Sequence, residues 1–374
     1  MGLFASAYKI LEASPLKKIA ASSPDDPYAS SQPAPAAAAS PRIRLKDGRY
    51  LAYIEKGVPK SQSKYRIIIV HGFGRSKETH FPATQELVNE LGIYFLMYDR
   101  AGYGESDPNP KRSLKSEALD IQELADQLQI GPRFYLIGVS MGSYPIWSCL
   151  HYIPHRLAGA AMVVPVVNYT WPSLPESLIK DDYRRKSLRW GIRVAKHAPG
   201  LVHWWLSNIW FRPSGSKIDN NPLYFSTRDL EILNNKKSQG FPMLKKSQIR
   251  KRTVFEALRS DVLAGFGRWE FDPVDIIDPI HVKVDHHEED HTSPSNKGSN
   301  VHVWQGFEDK VVPYPLMRHV CEKVPWLNYH EVKDGGHLLV HEAKNCNAIL
   351  RSLLFDEEHC SYYASTQQLN SSNQ

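Results

Sequence analysis

Apolar positions along this 374-residue chain follow two periods that alternate from about residue 42 onward. Segments 42–45 and 50–55 flank Asp47-Gly48, a two-residue turn signal, and predict a β-hairpin. Beyond it, short β-branched or apolar runs predict buried strands, and apolar residues at helical spacing predict helices. The predicted strands are 66–70, 93–98, 134–137, 157–166, 301–304 and 326–331, and the predicted helices are 81–91, 114–128, 141–152, 314–323 and 338–354. This alternation predicts an α/β fold with a mostly parallel sheet and helices on both faces.

The alternation stops after Val167 and resumes at Val301. Residues 168–280 carry helical and aromatic signals without clear strands, which predicts a helical insert into one α/β core formed by residues 42–167 and 301–355. Three further segments are polar or rich in Ala, Ser and Pro and are expected to stay outside the core: a flexible N-terminal segment 1–41, a disordered insertion 281–300 and a polar tail 356–374.

Composition and charge narrow the class of protein. Hydrophobic residues make up 42% and charged residues 23% of the chain, so it can bury a large core. A net charge of +6 is too small to argue for nucleic acid as a partner. Residues 166–268 nevertheless hold 19 basic and 8 acidic residues, which form either an ordinary solvated face or a surface for peripheral contact with an anionic membrane.

The cysteines, the longest apolar run and the first residues of the chain bear on where the protein is located. The four cysteines lack the spacing of a zinc site or a disulfide framework, so reduced thiols and a cytoplasmic location are expected. The longest apolar run, 157–167, is about half the roughly 20 residues that a membrane-spanning helix needs. Residues 1–6 fit the pattern for N-myristoylation at Gly2, a candidate peripheral anchor, with an organelle-targeting segment as the alternative.

The sequence Gly138-Val139-Ser140-Met141-Gly142 lies where a predicted buried strand turns abruptly into a helix. In such a turn the serine takes strained backbone angles, and small residues two before and two after it give clearance. The serine hydroxyl then projects above the carboxyl edge of the sheet, beside a helix N-terminus that favours negative charge. Ser140 is therefore the candidate nucleophile.

A serine hydroxyl needs a base that accepts its proton and an acid that orients the base, and in this arrangement the chain order is serine, acid, histidine. His337 is the candidate base because it follows a predicted strand and two glycines, Gly335 and Gly336, that allow a tight turn. His341, one helical turn later, is the alternative base.

The candidate acid is Asp309, on the loop after the predicted strand 301–304, with the neighbouring Glu308 as the alternative. An acid after the sixth strand occurs in some variants of this architecture, but Asn168 stands in that place and cannot carry the charge. A buried Asp309 would hold the correct tautomer of His337 and stabilise its imidazolium form.

The oxyanion formed during attack on a carbonyl needs preorganised N–H donors. One candidate is the backbone N–H of Met141, which follows the nucleophile, and the other is the N–H of Phe73 in the loop after strand 66–70. Gly72 and Gly74 flank Phe73 and let the backbone come close to the site.

In chain order, the segments 71–74, 99–106 and 138–142 with Asp309 and His337 resemble the α/β-hydrolase fold superfamily over residues 42–355. The resemblance implies an eight-stranded, mostly parallel sheet, a helical cap formed by the insert, no cofactor, and a structural role for 99–106. Segments 103–111, 152–156 and 166–169 resemble more closely a group of plant serine α/β hydrolases of the AB hydrolase-1 type, whose substrates are undefined. The chain departs from that group in residues 286–291 and in lacking a hydrophobic N-terminal anchor.

Serine at the turn distinguishes this chain from epoxide hydrolases and haloalkane dehalogenases, which resemble the fold but use aspartate there. The predicted function is a serine hydrolase of ester, thioester, lactone or acylglycerol substrates, with a small hydrophobic acyl group and an acyl-enzyme intermediate. A ligand receptor or interaction protein on the same fold is the alternative, and a lyase or acyltransferase would share the nucleophile. Residues 286–291 contain three histidines that could ligate a metal, but a solvated insertion fits their neighbours better, so no metal is predicted.

Overall fold

A computed structural model of the chain describes residues 40–198, 225–238, 252–280 and 299–355. These residues all belong to the compact unit that begins at Ser40. Eight strands form its sheet: β1 (Arg42–Arg44), β2 (Tyr50–Gly57), β3 (Tyr65–Val70), β4 (Ile93–Tyr98), β5 (Phe134–Val139), β6 (Leu157–Val163), β7 (Val301–Gly306) and β8 (Asn328–Val332).

The helices of the described residues fall into two groups. Those that accompany the sheet are α1 (Gln85–Leu91), α2 (Leu114–Gln127), α3 (Ser143–Tyr152), α8 (Tyr314–Lys323) and α9 (Ala343–Phe355). Those of the segment between β6 and β7, called the inserted segment and comprising residues 168–280, are α4 (Glu176–Ile179), α5 (Tyr183–His197), α6 (Thr227–Ser238) and α7 (Arg252–Phe266).

The strands lie in the order β1-β2-β4-β3-β5-β6-β7-β8. The β1–β2 and β2–β4 pairs are antiparallel, and the remaining neighbours run parallel from β4 to β8. Helices cover both faces, as the two main apolar clusters on opposite sides of the sheet require. The predicted α/β fold with a mostly parallel eight-stranded sheet is confirmed.

Several observed element boundaries differ from the predicted ones because of the local backbone conformation. Helix α1 begins at Gln85 and not at residue 81, because Pro82 disfavours a helical conformation in the residue before it. Strand β6 ends at Val163, three residues early, since Val164 takes a positive φ of 45°. The last pair of the hairpin is Arg44 with Tyr50, so residues 45–49 form its loop, which is longer than the predicted two-residue turn.

The arrangement brings the carboxyl ends of β3 to β8 to one edge of the sheet. Loops after these strands therefore meet one another, and the inserted segment leaves the core from the same edge, after β6. Ligand sites of open parallel sheets lie outside this edge.

Candidate active site

The turn from β5 into α3 holds Ser140 in a strained conformation. Its φ is 54°, in the left-handed region that costs a residue with a side chain about 1–2 kcal/mol. The flanking glycines are required for space: a Cβ on Gly138 would lie 2.5 Å from the carbonyl oxygen of Gly142, and one on Gly142 would lie 2.2 Å from that of Val70. The chain can follow this turn only because both positions lack a side chain.

Ser140, His337 and Asp309 form a continuous hydrogen-bonded chain. The Ser140 Oγ lies 3.0 Å from His337 Nε2, and His337 Nδ1 lies 2.8 Å from Asp309 Oδ2. The three side chains come from the end of β5 and from the loops after β8 and β7, which the parallel sheet places side by side. This is the geometry in which an imidazole can take a proton from a serine while a carboxylate orients it.

The carboxylate of Asp309 is buried and held by several donors. Its Oδ1 accepts the backbone N–H groups of Val311 at 2.8 Å and Val312 at 2.9 Å, and its Oδ2 accepts Gln305 Nε2 at 3.1 Å in addition to His337. Glu308, the alternative acid, is exposed, and its backbone N–H donates to Gly335. The structure therefore brings Asp309, and not Glu308, to the imidazole.

The loops that carry the acid and the histidine pack backbone against backbone. A Cβ on Gly306, the last residue of β7, would lie 2.4 Å from the carbonyl oxygen of Gly335 and 2.6 Å from that of Gly336. Gly306 is therefore required where Asp309 and His337 meet. Sequence reasoning did not single it out; its position at the end of a strand just before the candidate acid was the available signal.

Sequence reasoning also missed Asp229, a fully buried residue of helix α6 in the inserted segment. Its carboxylate accepts the backbone N–H of His337 at 3.1 Å and that of Leu338 at 2.7 Å. The sequence signal was a capping box: the Ser226 N–H donates to Asp229 Oδ2 at 3.2 Å, and the Asp229 N–H donates to Ser226 Oγ at 3.1 Å. That pattern marks a helix start but does not show which loop the carboxylate contacts.

Asp229 gives a second reason for glycine at position 336, beyond the turn that the sequence predicts. A Cβ on Gly336 would lie 2.1 Å from Asp229 Oδ2, so Gly336 makes room for a carboxylate. The expected tight turn is present, because the Gly335 N–H donates to the Val332 carbonyl oxygen at 3.1 Å, although neither Gly335 nor Gly336 has a positive φ.

Charges around His337 raise its pKa above the usual 6.5. Burial by itself lowers the pKa of this imidazole, but the carboxylate of Asp309 raises it and that of Asp229 raises it further. The guanidinium of Arg75 opposes both carboxylates. The imidazolium that a base forms when it accepts a proton is therefore stabilised here.

The loop after β3 lies beside the nucleophile. A Cβ on Gly72 would lie 3.4 Å from the Cβ of Ser140, and Gly74 turns the loop with a φ of 64°. His71 holds the loop in place through both ring nitrogens. Its Nε2 accepts the Arg100 N–H at 3.0 Å, so the proton of the neutral ring is on Nδ1, which donates to the carbonyl oxygen of Gly72 at 2.8 Å. Burial and the charge of Arg100 lower the pKa of His71 well below 6.5, which keeps it neutral. The assignment of the Phe73 and Met141 N–H groups as oxyanion donors stays a prediction.

The other predicted candidates lie elsewhere. The ring of His341 lies 6.4 Å from that of His80, outside the series of hydrogen bonds that joins Ser140 to Asp309. Asn168 is buried and has a structural role, because its Nδ2 donates to the carbonyl oxygen of Gly267 at 2.7 Å. Gly2, residues 286–291 and two parts of the basic segment 166–268, residues 199–224 and 239–251, fall outside the described residues.

The described ranges hold no metal cluster, no disulfide and no membrane-spanning helix. Within those ranges no group of three or more His, Cys, Asp and Glu residues could hold a metal ion. Cys149, Cys321 and Cys346 are buried and form no disulfide, and Cys360 lies outside the ranges. Among the helices described, none combines the length and apolar character that a membrane span requires.

The sheet order and the strained serine after β5 define a protein of the alpha/beta hydrolase class. A family model described as "Alpha/beta hydrolase family" matches residues 67–348, most of the chain. The chain therefore belongs to the alpha/beta hydrolase family, as the sequence motifs predicted. The narrower resemblance to a plant group stays a prediction.

Solved structures of the same fold include two hydrolases. An esterase from Thermogutta terrifontis is 19% identical with a TM-score of 0.51, over 84% of this chain and 98% of its own. An enol-lactonase from Burkholderia xenovorans LB400 is 14% identical with a TM-score of 0.57, over 84% of this chain and 99% of its own. At these sequence identities, the similarity to the two structures shows a shared fold alone.

One curated protein is similar in sequence. The "Uncharacterized protein YqjL" of Bacillus subtilis (strain 168) is 26% identical over 134 residues, which are 34% of this chain and 51% of that protein. The chain thus spans about half the length of the curated relative that it matches.

Proposed function

We propose that this chain is a serine hydrolase of carboxylic esters in the broad sense, acting on an ester, thioester, lactone or acylglycerol through an acyl-enzyme on Ser140. The observation that carries the proposal is the unbroken chain from Ser140 Oγ through the His337 imidazole to the Asp309 carboxylate, with contacts of 3.0 and 2.8 Å. An ordinary surface serine would require neither a left-handed φ nor an oriented imidazole.

In the proposed mechanism, His337 Nε2 removes the proton from Ser140 Oγ as the oxygen attacks the substrate carbonyl carbon. Asp309 holds the Nδ1–H tautomer and stabilises the imidazolium. The imidazolium then protonates the leaving alcohol, and the C–O bond to that group breaks to give the acyl-enzyme. Water, deprotonated by the same imidazole, hydrolyses the acyl-enzyme and restores Ser140.

The backbone N–H groups of Phe73 and Met141 are the proposed donors to the oxyanion. The position of Gly72 against Ser140 supports Phe73, and the immediate succession of Met141 after the nucleophile supports the second donor. Removing one donor of this kind costs about 10²–10³-fold in kcat in well-studied hydrolases.

An apolar wall beside this loop supports a hydrophobic substrate group. Val194 and Ala195 of helix α5 and Phe255 and Leu258 of helix α7 form one buried cluster, and Phe73 packs against it. Helix α7 also reaches the turn, because a Cβ on Gly265 would lie 2.7 Å from Met141 Cε. The inserted segment would thus act as a cap that binds an acyl or alcohol chain by apolar burial.

The decisive experiment is covalent labelling of the full chain with a fluorophosphonate, combined with the burst of nitrophenol from nitrophenyl esters. We expect labelling at Ser140, a burst of one equivalent, and a higher kcat/KM for medium-chain esters than for acetate. His337→Ala should abolish the burst, and His341→Ala should keep it.

Two results would contradict this proposal. Absence of both labelling and burst would favour a ligand receptor on the same fold. Labelling without release of free acid would favour a lyase or an acyltransferase, which analysis of the products would distinguish.

A further inference from the structure

Helix α6 of the inserted segment packs directly on the loop that carries His337. Leu338 forms a buried apolar cluster with Ile232 and Leu233 of the helix. Arg228, in the first turn of α6, forms an ion pair with Glu342, just beyond the loop. The inserted segment therefore contacts the histidine loop by apolar packing and by charge.

Within this contact, Asp229 is a residue that binds the backbone of His337 itself. Its Oδ1 accepts the Leu338 N–H at 2.7 Å, and its Oδ2 accepts the N–H groups of His337 at 3.1 Å and Ser226 at 3.2 Å. A helix cap alone would need only the Ser226 contact. The additional N–H donors belong to the candidate base and to the residue after it.

Asp229 has no exposed surface, so it acts through the loop and does not touch substrate. Its contacts require two acceptor oxygens, which a carboxylate provides and a carboxamide does not. An asparagine in this place would turn an NH₂ group toward a backbone N–H and leave at least one buried donor without an acceptor.

We propose that Asp229 is the positioning residue of His337: from the inserted segment it holds the His337–Leu338 backbone so that the imidazole meets both Ser140 and Asp309. This inference rests on the proposed function, in which His337 is the base. It makes helix α6 a part of the catalytic arrangement as well as of a cover over the substrate.

Three charged groups face the imidazole from different elements. Asp309 lies on the loop after β7, Asp229 on helix α6, and Arg75 on the loop after β3. Asp229 and Asp309 raise the pKa of His337, and Arg75 lowers it. Removal of the Asp229 charge should therefore lower that pKa while the other two groups remain.

The test compares the full-length wild type with Asp229→Asn across a pH series. Displacement of the imidazole should lower kcat and the rate of fluorophosphonate labelling on the order of 10²-fold, the effect of roughly 1 Å of misplacement. KM should change little, because the buried carboxylate does not touch substrate. The labelling rate should also begin to rise at a lower pH than in the wild type.

Asp272→Asn is the matched control. Asp272 is another buried carboxylate of the inserted segment, and it accepts the backbone N–H groups of Ser173 at 2.8 Å and Val274 at 3.2 Å. Its replacement should lower the melting temperature and leave the pH profile unchanged. Wild-type labelling in Asp229→Asn, or a loss no greater than in Asp272→Asn with an unshifted profile, would overturn the positioning role.

Failure of the proposed function is distinguishable from failure of this inference. If the wild type is not labelled at Ser140, the proposed function fails. The inference is then tested by an NMR titration of the His337 imidazole, whose signal is identified by its absence in His337→Gln. Equal pKa values of that imidazole in wild type and Asp229→Asn would overturn it.

A second variant covers the case in which Asp229→Asn does not fold. In Gly336→Ala the carboxylate is retained, but the new Cβ would lie 2.1 Å from Asp229 Oδ2 and must displace it. We expect slower labelling with the same direction of pH shift; a wild-type rate and profile would overturn the inference.

Discussion

Arg100 and Asp261 form a fully buried ion pair that joins the loop after β4 to helix α7 of the inserted segment. The contact is bidentate, with Nη1–Oδ1 at 2.5 Å and Nη2–Oδ2 at 2.8 Å. The hydroxyl groups of Tyr103 and Tyr144 also donate to Asp261, at 2.6 and 2.8 Å. Because the Arg100 N–H also binds His71, the pair links the inserted segment to the loop beside Ser140.

Asp261→Ala should therefore lower the free energy of unfolding by about 3–5 kcal/mol, since it leaves a buried guanidinium without its counterion. Urea denaturation measures this change. Arg42→Ala is the control, because Arg42 pairs with Asp107 at the exposed surface and should cost at most about 1 kcal/mol. Equal losses in the two variants would show that the buried pair does not fasten the inserted segment.

Two replacements of Ser140 separate chemistry from backbone strain. Both Ser140→Ala and Ser140→Gly should abolish fluorophosphonate labelling, because neither retains the hydroxyl. Glycine tolerates a φ of 54° and alanine does not, so Ser140→Gly should be more stable than Ser140→Ala by about 1 kcal/mol. Thermal denaturation gives this difference, and a more stable alanine variant would contradict the strain.

The pH dependence of hydrolysis should report the neutral fraction of His337. The base is active when it is unprotonated, so kcat/KM should rise with pH and reach its half-maximal value above pH 6.5, since the pKa of His337 is raised. Arg75→Met removes a positive charge that lowers this pKa, and should move the midpoint to still higher pH. A midpoint below 6.5 in the wild type, or a downward shift in Arg75→Met, would contradict this account.

Asp309→Asn should lower kcat on the order of 10⁴-fold, because an amide holds the wrong tautomer of the base. Glu308→Gln is the control, since Glu308 is exposed and the carboxylate that contacts His337 Nδ1 is that of Asp309. Steady-state kinetics of both variants on one nitrophenyl ester tests the assignment. Loss of activity in Glu308→Gln, with Asp309→Asn unaffected, would transfer the role of the acid to Glu308.

The elements that short-range chemistry specifies were predictable from the sequence. Period and composition predicted the eight strands and the mostly parallel sheet, and the glycines around Ser140 predicted the turn that holds it. The candidate acid and base could be chosen because each follows a predicted strand, and parallel strands bring their carboxyl ends to one edge. Errors at boundaries came from single residues, such as Pro82 before helix α1 and Val164 after strand β6.

Only the tertiary structure showed which distant residues support these groups. Asp229 lies 108 residues before His337, and Asp261 lies 161 residues after Arg100. The sequence around Asp229 specifies a helix cap, and nothing local distinguishes a carboxylate that also accepts the N–H of a catalytic loop. Gly306 and Gly336 likewise owe their identity to atoms of other segments that occupy the space of a side chain. Such contacts depend on how the inserted segment packs against the sheet edge, and that packing is a property of the folded chain as a whole.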